Sequence, residues 1–184
     1  MLLESKRSQL LVVDIQEKLF PHIDNAETVA RNTQVLIAAA RELGIPITVS
    51  EQYPQGLGPT VRPLTDLLEE ARIFEKVEFS CAANPDIRRH VRHLETAEGR
   101  DQLVICGMES HICVLQSALG FLHAGHHVAV VMDAVGSRRA ESRELALARL
   151  LRHEVETVTT EMALFEWMHR AGTDQFRTLS KLIR

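Results

Sequence analysis

Short apolar runs of strand length alternate along the chain with longer segments whose apolar residues recur every three or four positions. Leu10-Leu11-Val12-Val13 opens the series and stops at Asp14. Residues 26–43 carry Val29, Val35, Leu36, Ala39 and Ala40 in helical rhythm, and Gly44 ends them. Residues 45–49 predict a second strand. The segment 51–63 holds three Pro and two Gly and predicts loop. A short helix is predicted over 64–70 and a third strand over 73–79. Asn84-Pro85 opens a helix that runs through Val91 and Leu94 to near Gly99. Next come a strand over 103–107, a helix over 110–124 with Ser110 as its cap, and a strand over 128–132 that stops at Asp133. A helix over 141–153, a sixth strand over 155–159 and helical pieces over 162–169 and 176–183 complete the pattern. Leu164, Phe165, Trp167 and Met168 predict the sheet-facing side of the first of those pieces, with a contact surface between copies as the alternative.

Strands of nearly continuous apolar character, alternating with helices, predict a parallel sheet covered on both faces. The expected fold is α/β: one domain over 1–184, a Rossmann-like three-layer α/β/α sandwich around a six-stranded parallel sheet with right-handed crossovers. Composition agrees, since 45% hydrophobic and 25% charged residues build a packed core. Twenty-one Lys and Arg against 25 Asp and Glu leave a formal net charge of −4, which argues against a nucleic-acid partner held by bulk positive charge. No apolar stretch approaches the ~20 residues of a membrane-spanning helix, so no membrane partner is expected. The four-residue apolar run after Lys6 and Arg7 is too short for a secretory leader. Three cysteines without a Cys-x-x-Cys pair fit a reducing, cytoplasmic setting.

In an open parallel sheet, ligands bind outside the carboxyl ends of the strands, where strand order reverses. The polar residues that end strands are therefore the candidates: Asp14, Lys76, the segment Gly107 to Cys113, and Asp133. With Ser110 as cap, Cys113 falls in a first helical turn, where the macrodipole is expected to lower a thiol pKa. The alternative is an inert packing cysteine, and Cys106 in mid-strand fits that description. Cys81, in a loop near Lys76, is left open. Asp14 is either a loop cap or a general base for Cys113. Lys76 is either solvated or the counter-ion that holds Asp14 ionised and stabilises a thiolate. Asp133 is assigned to capping. Among nine histidines, His90 and His93 share a helix face without an obvious third ligand, so no metal site is expected.

The blocks VVDIQEKLF at 12–20, EKVEFSCAA at 75–83 and ICGMESHICVLQSAL at 105–119 resemble the isochorismatase-like cysteine hydrolases, in order and spacing, over nearly the whole chain. SEQYPQGLGPT at 50–60 resembles the isochorismatase-domain-containing branch in particular. The resemblance implies an Asp14-Lys76-Cys113 triad: Cys113 attacks a carbonyl carbon, Asp14 takes and returns the proton, Lys76 tunes both charges, and water hydrolyses a thioester. It also implies a cis Met108–Glu109 peptide that turns the Glu109 N–H inward beside that of Cys113 as an oxyanion hole. Gln16, Phe20, Gln52 and Tyr53 are candidates to line the pocket; Phe20 also reads as core, and the two glutamines as partners for backbone or water. Nicotinamidases of this family carry a metal-binding Asp-x-His where this chain has Glu51-Gln52-Tyr53, so neither zinc nor another cofactor is expected. Isochorismate vinyl-ether cleavage needs no cysteine, so Cys113 tilts the expectation to C–N or acyl hydrolysis of a small molecule. Family members usually form dimers or larger homo-oligomers, and the same is expected here.

Other chemistries fit less well. A dinucleotide-binding oxidoreductase needs a glycine-rich turn after the first strand, and VVDIQEKL has none. Phosphoryl transfer through Asp14 needs a second carboxylate for magnesium, and Gln16 takes the obvious position. A catalytically quiet binding or scaffold protein on the same fold is the alternative from a different class.

Overall fold

The protein is described by a computed structural model that covers residues 1–183. Six strands make one sheet: β1 (Ser8–Val13), β2 (Ile47–Gln52), β3 (Arg72–Lys76), β4 (Gln102–Met108), β5 (His127–Gly136) and β6 (Glu156–Val158). Their order is β3-β2-β1-β4-β5-β6 and every pairing is parallel. The chain moves outward to one edge, returns to the middle and moves to the other edge, so strand order reverses between β1 and β4. Among the described residues eight α-helices accompany the sheet: α1 (Ala26–Glu42), α2 (Pro54–Leu57), α3 (Arg62–Thr65), α4 (Pro85–Glu98), α5 (Leu115–His123), α6 (Ala140–Arg152), α7 (Thr160–Met168) and α8 (Asp174–Leu179).

Period-two alternation divides each central strand between two cores. Leu10 and Val12 of β1 join α1 and α7 through Val29, Leu36, Leu164 and Trp167. Leu11 and Val13 join α4 and α5 through Ile87, Val91, Ala118 and Phe121. All six residues of β1 are buried, and its last four, Leu10 to Val13, run apolar without a break. Trp167 reaches through its layer to donate from Nε1 to Ser8 Oγ at 2.9 Å. Leu164, Trp167 and Met168 are buried, whereas Phe165 is exposed.

Several boundaries differ from the sequence pattern. β3 ends at Lys76 because β2 ends at its partner Gln52, and the chain leaves the sheet with Val77 and Phe79 exposed. β5 runs past Met132 to Gly136, because an irregularity between Ile105 and Gly107 lets Val135 and Gly136 resume pairing with β4. Asp133 therefore lies inside β5, and its Oδ1 accepts from Thr160 N and Oγ1 at 2.7 and 2.9 Å, holding the start of α7. The helix over 64–70 reduces to α3, which starts earlier with Pro63 in its first turn. The 51–63 loop holds α2, and the last helix ends at Leu179.

Candidate active site

The carboxyl ends of β1 and β4 meet at the switch point, and Gly107 makes the meeting possible. At φ +121° it stands opposite Val13, and a Cβ there would lie 2.0 Å from the Val13 carbonyl oxygen. Beyond this contact β1 delivers Asp14, in a left-handed conformation at φ 50° that an Asp tolerates. β4 delivers Glu109 after a cis Met108–Glu109 peptide. The next turn, Ser110–Val114, is a π turn that leads into α5, and Glu109 rather than Ser110 stands at its start. The Ser110 hydroxyl has no hydrogen-bond partner among the described residues. Glu109 O accepts from Ile112 N and Val114 N, passing over the N–H of Cys113 between them.

Asp14, Cys113, Gln52 and Glu109 line one cleft of about 310 Å³, with Leu19, Leu57, Phe79, Ile112 and Arg138. Lys76 comes in from β3 with its side chain fully buried and donates to Asp14 Oδ2 at 2.7 Å. Its other donors go to Gln52 Oε1 at 2.7 Å and Phe79 O at 3.4 Å, so all three ammonium protons have partners. Ser50 Oγ donates to the other Asp14 oxygen, Oδ1, at 2.7 Å.

Burial raises the Asp14 carboxyl above the ordinary carboxylate range; the Lys76 charge and the hydrogen bonds from Lys76, Ser50 and Cys113 oppose it. Burial also works against the Lys76 ammonium, but the Asp14 carboxylate outweighs it and the net shift is upward. The Cys113 thiol is pushed well above its usual value, first by burial and then by the Asp14 charge. This reverses the shift expected from a helix terminus: a buried sulfur facing an anion pays more for ionising than a single turn's dipole returns. Both influences favour the neutral thiol beside the Asp14 carboxyl.

The other anticipated residues have different places. Gln16 is fully buried, and its amide is spent on backbone: it accepts from Gln52 N and donates to Gln52 O and Gly58 O. Gln52 lines the cleft but uses its amide on Lys76 and on Val77 O at 2.9 Å. Phe20 packs at the margin of the α1 core and lines a separate hollow with Pro21 and Ile23. Tyr53 is 55% exposed and faces a second depression beside Pro54 and Val77. Glu51 is tied to Thr60 N and Oγ1, both at 2.7 Å. No group of three His, Cys, Asp or Glu side chains suited to a metal ion occurs among the described residues.

Arg138 escaped the sequence reading. Its backbone N and Nε donate to Glu109 Oε2 at 2.9 and 3.1 Å, and its side chain is 57% exposed at the cleft. Only the extension of β5 to Gly136 carries it there, and the apolar run ending at Met132 gave no sign of that extension.

A family model described as the isochorismatase domain matches residues 8–162. The chain belongs to the isochorismatase family. Isochorismatase relatives span nearly all of it. A secreted isochorismatase effector, Isc1, of Phytophthora sojae is 35% identical over 96% of this chain and 84% of its own. Isochorismatase domain-containing protein 2 of Danio rerio is 35% identical over 98% and 89%. Among solved structures, the MAR1 ribonuclease of Caenorhabditis elegans superposes with a TM-score of 0.92 at 33% identity, covering 100% of this chain and 92% of that one. Isochorismatase-like proteins are generally hydrolases, and this chain carries their fold in full. No helix among the described residues is long and apolar enough to cross a membrane.

Proposed function

We propose that the protein is a cofactor-independent cysteine hydrolase that cleaves a small amide or related acyl compound. The observation that supports this is the convergence of the Cys113 thiol, the Asp14 carboxylate and the buried Lys76 ammonium at one cleft of small-molecule size. Because the thiol rests protonated, attack couples to proton transfer: Cys113 S–H gives its proton to Asp14 as sulfur bonds to the carbonyl carbon. The N–H groups of Glu109 and Cys113 receive the developing oxyanion. Collapse breaks the C–N bond, and Asp14 hands its proton to the leaving nitrogen. Water, deprotonated by Asp14, then releases the acid from the thioester. Lys76 stays charged throughout and keeps Asp14 able to act as a base. Arg138 offers its terminal guanidinium N–H groups to an anionic substituent of the substrate, its Nε being held by Glu109.

The same reading takes the chain as one domain, at work in the cytoplasm on a small molecule and assembling with copies of itself. The nematode relative's name raises RNA cleavage as a second reading. The cleft argues against it: its one arginine is paired with Glu109, and the formal net charge is −4.

Hydrolysis of a panel of small amides, ureides, esters and RNA oligonucleotides tests the proposal. Activity on the small substrates is expected to vanish in Cys113→Ala and to fall about 100-fold or more in Asp14→Asn. Activity that survives Cys113→Ala refutes the mechanism. A folded wild type inactive on the whole panel supports the scaffold alternative.

A further inference from the structure

Behind the triad lies a buried chain of donors that the mechanism above does not use. Cys81, fully buried in the loop after β3, points its Sγ at Ser50 Oγ, 3.4 Å away. Ser50 in turn donates to Asp14 Oδ1 at 2.7 Å. The Cys81 backbone is fixed separately, its N–H donating to Ser117 Oγ at 2.8 Å. We propose that Ser50 is a positioning residue for the hydrolysis: its hydroxyl, oriented from behind by the Cys81 thiol, fixes the Asp14 carboxylate in front of the Cys113 sulfur. The proposal rests on the reading of Asp14 as the base for Cys113.

The argument is a count of protons. A serine hydroxyl has one proton and can point it only one way. Burial, the largest influence, pushes the Cys81 thiol up to about 11, so at working pH it is S–H, a donor. Its proton occupies one side of the Ser50 oxygen, and the Ser50 proton is thereby directed to Asp14. With Lys76 on Oδ2 and Ser50 on Oδ1, both carboxylate oxygens are anchored and the carboxyl plane cannot turn. The titratable groups facing Asp14 are Lys76 from β3, Cys81 from the loop after it and Cys113 from the π turn, with the Glu109–Arg138 pair at the same cleft. Ser50 is neutral, so its removal changes the stabilisation of the Asp14 anion without changing the charge of the site.

The test follows the acid limb of kcat/KM with pH, alongside infrared titration of the Asp14 carboxyl, whose band is assigned by its loss in Asp14→Asn. In Ser50→Ala both the limb and the carboxyl titration are expected to move up by about one to two pH units, because a carboxylate loses a charge-assisted donor. Ser50→Thr, which keeps the hydroxyl, is expected to restore both. Cys81→Ala is expected to move them less and in the same direction. A purely structural role would lower yield or Tm and leave the pH midpoints in place, and that result overturns the proposal. If Ser50→Ala does not fold, Cys81→Ala decides, and unmoved midpoints there overturn it. Loss of the base reading is recognised separately: Asp14→Asn then hydrolyses as wild type does, while the infrared titration still reports on the anchor.

Discussion

Removing the ammonium from the Asp14–Lys76 pair is the most direct way to measure what holds the site together. The two side chains are wholly buried and 2.7 Å apart, so neither water nor salt shields either charge once its partner is gone. Lys76→Met keeps the length of the side chain and deletes its charge. Breaking one side of a buried pair costs about 3–5 kcal/mol. At about 2–4 °C per kcal/mol for a chain of this size, that lowers Tm by roughly 10 °C. The deficit also has a pH signature. Without Lys76 the folded-state pKa of Asp14 rises further above its unfolded value, so the variant loses stability as pH climbs through that raised pKa. The gap to wild type is widest at neutral pH and narrows in acid, where the buried carboxyl is protonated. Adding Asp14→Asn to Lys76→Met removes the stranded charge and is expected to recover about 2 kcal/mol or more at pH 7. Urea unfolding of wild type, both single variants and the double variant, at several pH values, reads all of this. A Lys76→Met protein within 1 kcal/mol of wild type at pH 7, with no narrowing in acid, would refute the reasoning.

Asp14→Asn is expected to move two properties of Cys113 in opposite directions. Hydrolysis falls because the base is lost, whereas alkylation by iodoacetamide at neutral pH speeds up because the anion that opposes thiolate formation is gone and Lys76 remains. Parallel falls in both rates, in a protein with wild-type Tm, would contradict the assignment of the raised thiol pKa to Asp14. Arg138→Met is expected to raise KM about tenfold or more for substrates bearing a carboxylate and to leave KM for neutral analogues within twofold. Equal effects on the two substrate classes would show that Arg138 does not read charge.

The parallel sheet and the strand-end residues were legible in the sequence for one physical reason. A strand buried on both faces is apolar until it leaves the sheet, so the first polar residue after it marks the ligand edge. Asp14 after β1 and the segment after β4 follow that rule, and Lys76, a strand-end candidate as well, closes a β3 that is mostly exposed. The rule fails where a strand outlasts its apolar run. β5 passes through Asp133 to Gly136, so Arg138 stayed invisible and Asp133 looked terminal. Side-chain partners across strands were equally hidden. Gln16 looks like a binding group in sequence, yet its amide meets the backbone at the end of β2, more than thirty residues away. The upward shift of the Cys113 thiol is not legible in sequence, because position on a helix can be read there and burial beside an anion cannot.

The charges around the cleft come in neutral pairs, Asp14 with Lys76 and Glu109 with Arg138, and burial beside Asp14 favours an uncharged Cys113 sulfur. Under the proposed chemistry this arrangement moves charge instead of creating it. As Cys113 gives up its proton, the Asp14 carboxylate becomes neutral and one negative charge reappears on the substrate oxygen. Lys76 therefore faces one negative charge before and after attack, first on its own partner and then on the substrate. A preformed thiolate would place two anions beside one ammonium, which burial penalises and the upward shift of Cys113 opposes. The same inventory explains why a lysine, whose three donors are fully taken by Asp14, Gln52 and Phe79, serves the site better as a fixed charge than as a proton donor. An ammonium that gave a proton away would leave the carboxylate without its counter-ion at the moment the base must be ready for water.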